Sequence, residues 1–222
     1  MNMILVFSGM AILLIAVAVL VKQIDNKRRD ALARKAAELG FQFSIKGDIG
    51  KIATLSHLHL FSRGHSKRIR FLMERPGSDA ISIFDYHFVT GGGKNSQHHR
   101  QTVFLFQSTR LKLPEFNLRP ESIFDKIGQT FGSQDIDIES AERFSKAFLL
   151  RGKDEPLIRK LFQADIIHLF EGREKEKLCV EGAGPTLILY FAEKRIKPEE
   201  IAMKFELAQT FFHGFAQRCN YL

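Results

Sequence analysis

The chain has 222 residues, 45% of them hydrophobic, which is enough for one domain that buries most of its apolar surface. The formal net charge is +8, and residues 22–39 supply +3 of it through six basic and three acidic side chains. The net positive charge of the remaining residues is too small to indicate a nucleic-acid-binding protein. Two cysteines are fewer than a secreted domain of this size is expected to use.

The first predicted element is a membrane anchor at residues 1–21. Twelve of the 19 residues from Met3 to Val21 are Leu, Ile, Val or Phe, and no charged side chain precedes Lys22. A helix of that length rises about 28 Å, close to the ~30 Å hydrocarbon thickness of a bilayer. A cleaved signal peptide would carry a basic n-region, which is missing here. The sequence therefore predicts an uncleaved transmembrane helix.

A basic helical stalk is predicted at residues 22–40. Leu32, Ala36 and Leu39 recur at helical spacing, and Gly40 stands where glycine commonly ends a helix. The basic residues of the stalk are Lys22, Lys27, Arg28, Arg29, Arg34 and Lys35. Because basic flanks are retained on the cytoplasmic side, we expect a single-pass protein of the cytoplasmic (inner) membrane with a cytoplasmic C-terminal domain. The same six residues are predicted to contact anionic lipid headgroups, although a topology signal alone would also explain them.

Residues 41–222 are predicted to form a single α+β domain, a mainly antiparallel sheet with segregated helices. Side chains alternate with a period of two in five runs, which are Phe41–Ile45, Leu58–Leu60, Ile69–Met73, Ile81–Ile83 and Thr102–Phe106. The glycines at 91–93 and other short turns between these runs imply antiparallel neighbours.

The second half of the chain mixes helical and strand periods. Helices are predicted at 120–127, after a capping Asp154 and at 198–218, and a strand pair at 177–180 and 186–191. The last helix has an apolar stripe formed by Ile201, Phe205, Ala208, Phe212 and Phe215. Strands followed by segregated helices favour α+β over a doubly wound parallel sheet.

Four segments resemble a group of uncharacterised bacterial proteins that pair an N-terminal membrane segment with one compact domain. In chain order they are FDYHFVTGGGKNSQHHRQTVFLF, LPEFNLRPESIFDKIG, DIDIES and FSKAFLLRGKDEPLIRKLF. The resemblance covers roughly residues 80–218. It implies a bacterial membrane location and this architecture, and it brings no activity or catalytic residue.

One stretch, residues 91–96, superficially resembles a phosphate-binding loop. A P-loop has Gly, four residues and then Gly-Lys-Ser/Thr ahead of a helix, whereas here Phe88 holds the first glycine position and Asn95 follows Lys94. The spacing instead predicts the flexible tip of a hairpin.

Three carboxylates alternate at Asp135, Asp137 and Glu139. In an extended segment all three would share one face and could bind a hard cation through oxygen. They are the basis of one alternative function, a metal-dependent hydrolase. A polar strand face with Ile136 and Ile138 buried beneath it explains the same pattern without a metal.

The histidines and cysteines lack the spacing of a known metal or catalytic motif. His57 and His59 would share a strand face, but zinc sites need three or four converging ligands. Cys179 and Cys219 are isolated in sequence, and their pairing is left open. The sequence predicts no metal site and no cofactor.

The 21 phenylalanines are predicted to be core residues, because Phe lacks the polar group that suits Tyr and Trp to wet interfaces. Residues 68–71 interleave two arginines with Ile and Phe, as nucleic-acid surfaces do. An edge strand with outward charges is the favoured interpretation, and no nucleic-acid partner is predicted.

Together these patterns predict a membrane-anchored cytoplasmic domain without enzymatic activity, which binds a protein partner or helps to organise a membrane complex. Its expected partners are the lipid bilayer, anionic headgroups and a protein. Besides the metal-dependent hydrolase, a periplasmic envelope factor with reversed topology is the other alternative.

Overall fold

The computed structural model describes residues 2–48, 50–122 and 135–222, without the side chains of residues 2–6, 8, 9, 11, 51 and 52. The strands are β1 (Gln42–Lys46), β2 (His65–Arg75), β3 (Asp79–Thr90), β4 (Gln97–Ser108), β5 (Leu113–Pro120), β6 (Phe148–Gly152), β7 (Leu178–Gly184) and β8 (Thr186–Phe191). The α-helices are α1 (Asn2–Glu38), α2 (Gly50–Thr54), α3 (His59–Ser62), α4 (Glu142–Ala147), α5 (Glu155–Leu161), α6 (Ala164–His168) and α7 (Ile201–Arg218).

The strands form one sheet of eight in the order β1-β2-β3-β4-β8-β7-β5-β6. Every pair of neighbouring strands is antiparallel. β4 pairs with β8, so the first four strands join the remaining four through residues far apart in sequence. The predicted α+β class with an antiparallel sheet is confirmed.

Helix α1 runs without a break from the apolar segment into the stalk. In its second half Leu32 and Ala36 are buried in the core, as their spacing predicts. Gly40 follows with a φ of +72°, a left-handed conformation that glycine adopts at no steric cost. Among the described residues, no helix combines the length and the apolar composition needed to cross a membrane.

Both faces of the sheet are covered, by unequal layers. The larger core holds the second half of α1 with α5, α6 and α7, and all five residues of the predicted α7 stripe are buried in it. The smaller core lies under the α2–α3 segment, where Leu55, Leu58, Leu60 and Phe61 pack against the opposite face. A sheet buried on both faces explains the high proportion of phenylalanine, most of which is buried as expected.

Several local predictions are confirmed. The Asp154 carboxylate accepts a hydrogen bond from the Leu157 backbone N–H at 3.0 Å and so caps α5. β7 and β8 form the predicted strand pair, and the glycines at 91–93 lie in the turn between β3 and β4.

Two predictions have other outcomes. The run Leu58–Leu60 is not a strand; α3 begins at His59, and Leu58 precedes it as the N-cap. Leu58, Leu60 and Phe61 are buried together on one side of this short helix. The predicted helix at 120–127 lies mostly outside the described residues, and Pro120 itself ends β5.

Candidate functional site

Strand β2 contains two irregularities that decide where its arginines lie. Ser66 and Phe71 both have a φ of +53°, and the pairing with β3 shifts register between His65 and Arg68 and again between Arg70 and Met73. Non-glycine residues rarely adopt this conformation, and β-bulges use it to redirect side chains. As a result the adjacent Arg70 and Phe71 line the same cleft, with the guanidinium carbon 4.5 Å from the ring centre.

The arginines of β2 open onto a cleft of about 390 Å³ beside α1. We call it the basic cleft. Its basic lining residues are Arg68, Arg70, His87, Arg100 and Arg195, its acidic ones are Asp25 and Asp85, and its apolar ones include Val21, Ile24 and Phe71. These residues come from α1, β2, β3, β4 and the loop after β8, so the tertiary fold assembles them.

The two carboxylates of the basic cleft already have partners. Arg28 on α1 donates from Nε to Oδ2 of Asp85 at 2.7 Å and from Nη2 to Oδ1 at 2.8 Å, a bidentate ion pair. The Thr102 hydroxyl also donates to Asp85, at 2.8 Å, and Arg28 donates to the Ile196 carbonyl at 2.9 Å. Asp25 accepts from Arg70 at 2.5 Å.

Three other guanidiniums in the basic cleft have no such compensation. The side chains of Arg68, Arg100 and Arg195 are exposed, and within the described parts of the chain their guanidinium groups make no ion pair or hydrogen bond. The pKa of the neighbouring His87 is lowered from its ordinary value, first by partial burial and then by the charges of Arg100, His98 and Arg68. Cationic side chains therefore surround this imidazole, and the site is suited to binding an anion.

The His87 environment gives a first testable expectation. Arg100→Gln should raise the pKa of His87, because it removes the largest of the charges that disfavour the imidazolium, while the effect of burial remains. An NMR pH titration of the His87 ring in the full chain, assigned with a His87→Gln variant, measures this shift. Lys160→Gln, an exposed charge on α5, is the matched control and should leave the titration unchanged. An unaltered His87 pKa in Arg100→Gln would show that the guanidinium does not act on the ring.

A second polar feature lies under α3 on the other face of the sheet. Glu181 on β7 is fully buried, and its carboxylate accepts the Leu60 backbone N–H at 3.1 Å and the Tyr190 hydroxyl at 2.9 Å. Burial raises the pKa of Glu181 to about 7, and these hydrogen bonds oppose part of that rise. No sequence pattern singled out Glu181, because a lone glutamate in an apolar strand carries no motif.

Comparison with solved structures provides one strong match. The crystal structure of the mycobacterial trehalose monomycolate transport factor A, TtfA, superposes with a TM-score of 0.62, covering 88% of this chain and 95% of that one. The sequences are 8% identical over the match. The two proteins share a fold. No protein-family model matches the sequence, and no curated protein matches it either.

The six basic stalk residues fall into two groups in this TtfA-like fold. Lys22, Lys27 and Arg34 are exposed. Arg29 pairs with Asp30 at 2.7 Å, Lys35 pairs with Glu38, and Arg28 is bound to Asp85 with only 11% of its side chain exposed. A headgroup could reach Arg28 only by displacing Asp85, so the exposed residues are the ones available to a lipid surface.

The three alternating carboxylates do not lie on a strand. Residues 135–138 are irregular, and Glu139 begins a turn of 3-10 helix. Asp135 pairs with Arg151 at 2.5 Å, while Ile136 and Ile138 are buried as the polar-face interpretation expects. Within the described ranges, no three His, Cys, Asp or Glu side chains are grouped so that they could hold a metal ion.

The two cysteines are separated by the sheet. Cys179 lies in the smaller core and Cys219 in the larger one, and both are buried free thiols. His98 and His99 are on β4, where His98 stacks on His87 and His99 pairs with Glu193 at 2.5 Å. β2 lies between β1 and β3, so the interpretation of residues 68–71 as an edge strand is wrong.

Proposed function

We propose that this chain is a single-pass, membrane-anchored module without enzymatic activity, whose folded domain binds a protein partner or organises a complex on the cytoplasmic side of the membrane. One observation carries the proposal: the two halves of α1 have opposite surroundings. The second half is bound to the sheet through Arg28, Leu32 and Ala36. In the first half, every large apolar side chain described from Phe7 to Val21 is 48–67% exposed.

That exposure is costly in water. Burying apolar surface stabilises a protein by about 25 cal/mol per Å², and apolar surface left in water forgoes that free energy. A continuous apolar patch of this size marks a protein or membrane interaction site. The apolar run extends from Met3 to Val21 in the sequence, and its 19 residues match the thickness of a bilayer, whereas the finding that no helix could cross a membrane covers the described residues alone. A bilayer is therefore the surrounding that accounts best for both the composition and the exposure.

The comparison supports a module of this kind only in general terms. TtfA is named a transport factor, and the likeness to it is one of fold. A role in organising a membrane process, without chemistry of its own, agrees with that name. We assign this chain neither the substrate nor the partners of TtfA.

The anchor is tested by membrane fractionation of the full chain. Leu14→Arg combined with Val17→Arg should move the protein from the carbonate-resistant membrane fraction to the supernatant, because each central arginine disfavours insertion. Met203→Arg combined with Tyr221→Arg adds the same charge at two exposed apolar side chains of the domain and should leave the protein in the membrane. A wild-type chain that carbonate extracts would contradict the anchor.

Topology is tested with reporters fused after Leu222. The basic residues that follow the apolar segment predict that a fluorescent reporter folds in the cytoplasm and that alkaline phosphatase at the same position is inactive. The reverse result, active phosphatase without fluorescence, would establish the periplasmic topology instead.

A further inference from the structure

The basic cleft has an excess of positive charge that the protein itself does not neutralise. Asp85 forms an ion pair with Arg28, and Asp25 forms one with Arg70. Arg68, Arg100 and Arg195 remain, three guanidiniums that open into one cavity of about 390 Å³. Like charges held close together repel one another, and a bound anion removes that cost. Guanidinium groups bind phosphate oxygens in a planar, two-bonded geometry that lysine cannot reproduce.

The other wall of the basic cleft is apolar. Val21 and Ile24 line it from α1, and Phe71 lines it from β2. Val21 is also the last residue of the apolar segment, and Ile24 is 63% exposed. A ligand in this cleft therefore meets cations on one side and, on the other, a helix whose apolar surface continues away from the domain.

We propose that the basic cleft binds the phosphate group of an anionic membrane phospholipid, with the phosphate on Arg68, Arg100 and Arg195 and the acyl chains along the first half of α1. The proposal rests on the proposed function, because the cleft reaches the lipid headgroups only if α1 enters the bilayer at Val21. An inorganic phosphate ion offers negative charge as well but leaves the exposed side chains of Val21 and Ile24 without an apolar partner. A phospholipid provides a phosphate for the arginines and acyl chains for the apolar wall.

The test uses the full chain purified in a nonionic detergent, with phosphatidylglycerol as the probe. Native mass spectrometry counts the bound lipids, and a titration gives their affinity. Wild type should retain one phosphatidylglycerol, and the triple variant Arg68→Gln/Arg100→Gln/Arg195→Gln should bind it at least tenfold more weakly. Phosphatidylcholine, which has no net charge, should bind wild type more weakly than phosphatidylglycerol does.

The matched control removes three positive charges elsewhere. Lys112→Gln/Lys160→Gln/Lys175→Gln changes exposed residues outside the basic cleft and should bind phosphatidylglycerol as wild type does. Equal weakening by both triple variants would mean that only net charge matters, and equal binding by all three proteins would mean that the arginines do not form the site. Either result would overturn the proposal.

Two further measurements distinguish a lipid phosphate from a free phosphate ion, and the cleft proposal from the anchor proposal. Inorganic phosphate that competes fully at micromolar concentration would assign the cleft to a soluble anion and overturn the lipid assignment. The arginine variant should fold normally, with an unchanged or higher melting temperature, because it relieves repulsion between exposed charges. It should also remain in the membrane fraction, since that fraction reports on α1 alone. A chain that carbonate extracts but that still binds phosphatidylglycerol through these arginines would refute the anchor and the placement of the cleft at the membrane, and would leave only phospholipid binding by the cleft standing.

Discussion

Replacing Asp85 with alanine should reduce the free energy of unfolding by about 3–5 kcal/mol, the cost of leaving one member of a buried ion pair without its partner. The side chains of Arg28 and Asp85 are only 11% and 8% exposed. Without Asp85, the Arg28 guanidinium keeps the Ile196 carbonyl but loses both carboxylate bonds. Urea unfolding of the full chain in detergent, followed by circular dichroism, measures the loss.

The control is a surface pair of the same kind. Asp135 is 43% exposed and pairs with Arg151, so Asp135→Ala should cost about 1 kcal/mol or less. The double variant Arg28→Ala/Asp85→Ala should lose less than the two single variants together, with a coupling of about 0.5–3 kcal/mol. Losses that simply add, or an Asp85→Ala cost no larger than that of Asp135→Ala, would mean that the pair does not hold α1 to the sheet.

The second large effect concerns pH and Glu181. Its pKa is raised from 4.5 when the chain is unfolded to about 7 when it is folded, so the folded state holds a proton that the unfolded state releases between these values. Stability from this group is therefore complete below pH 4.5 and is lost as the pH rises to about 7, by on the order of 3 kcal/mol.

Glu181→Gln isolates this contribution because the amide stays uncharged. The stability of wild type relative to Glu181→Gln should fall by on the order of 3 kcal/mol between pH 4.5 and pH 8, as measured by urea unfolding at both values. Tyr190→Phe removes a donor that favours the charged carboxylate and so raises the folded-state pKa of Glu181 further; the loss should still begin near pH 4.5 but extend to higher pH and become larger. A difference between wild type and Glu181→Gln that does not vary with pH would show that Glu181 titrates in the folded protein as it does when unfolded.

Sequence reasoning succeeded where one local signal was sufficient. Gly40 ends a helix because of its own backbone freedom, and Asp154 caps the turn that follows it directly. The α7 stripe repeats over about four turns, so its period is unambiguous. Leu58–Leu60 is the opposite case, because three residues cannot distinguish a strand from the first turn of a helix that buries Leu60 and Phe61.

The basic cleft was beyond sequence reasoning for a different reason. Arg68 and Arg70 stand out in the sequence, but the direction in which their side chains point depends on two β-bulges, which no residue of β2 predicts. Arg100 and Arg195 join them only because β3 and β4 pair along their whole length and the loop after β8 returns past Thr102. Likewise, Arg28 counted as one of six similar stalk charges until the fold placed Asp85 opposite it.

The continuity of α1 has a mechanical consequence. A single helix of 37 residues, about 55 Å long, joins the apolar segment to the sheet without a hinge, and the Arg28–Asp85 pair clamps its second half. A flexible tether would let the domain sample every orientation, whereas this helix acts as a rigid lever. Any tilt or rotation imposed on its first half is transmitted to the whole sheet, so the orientation of the domain is coupled to that of the helix.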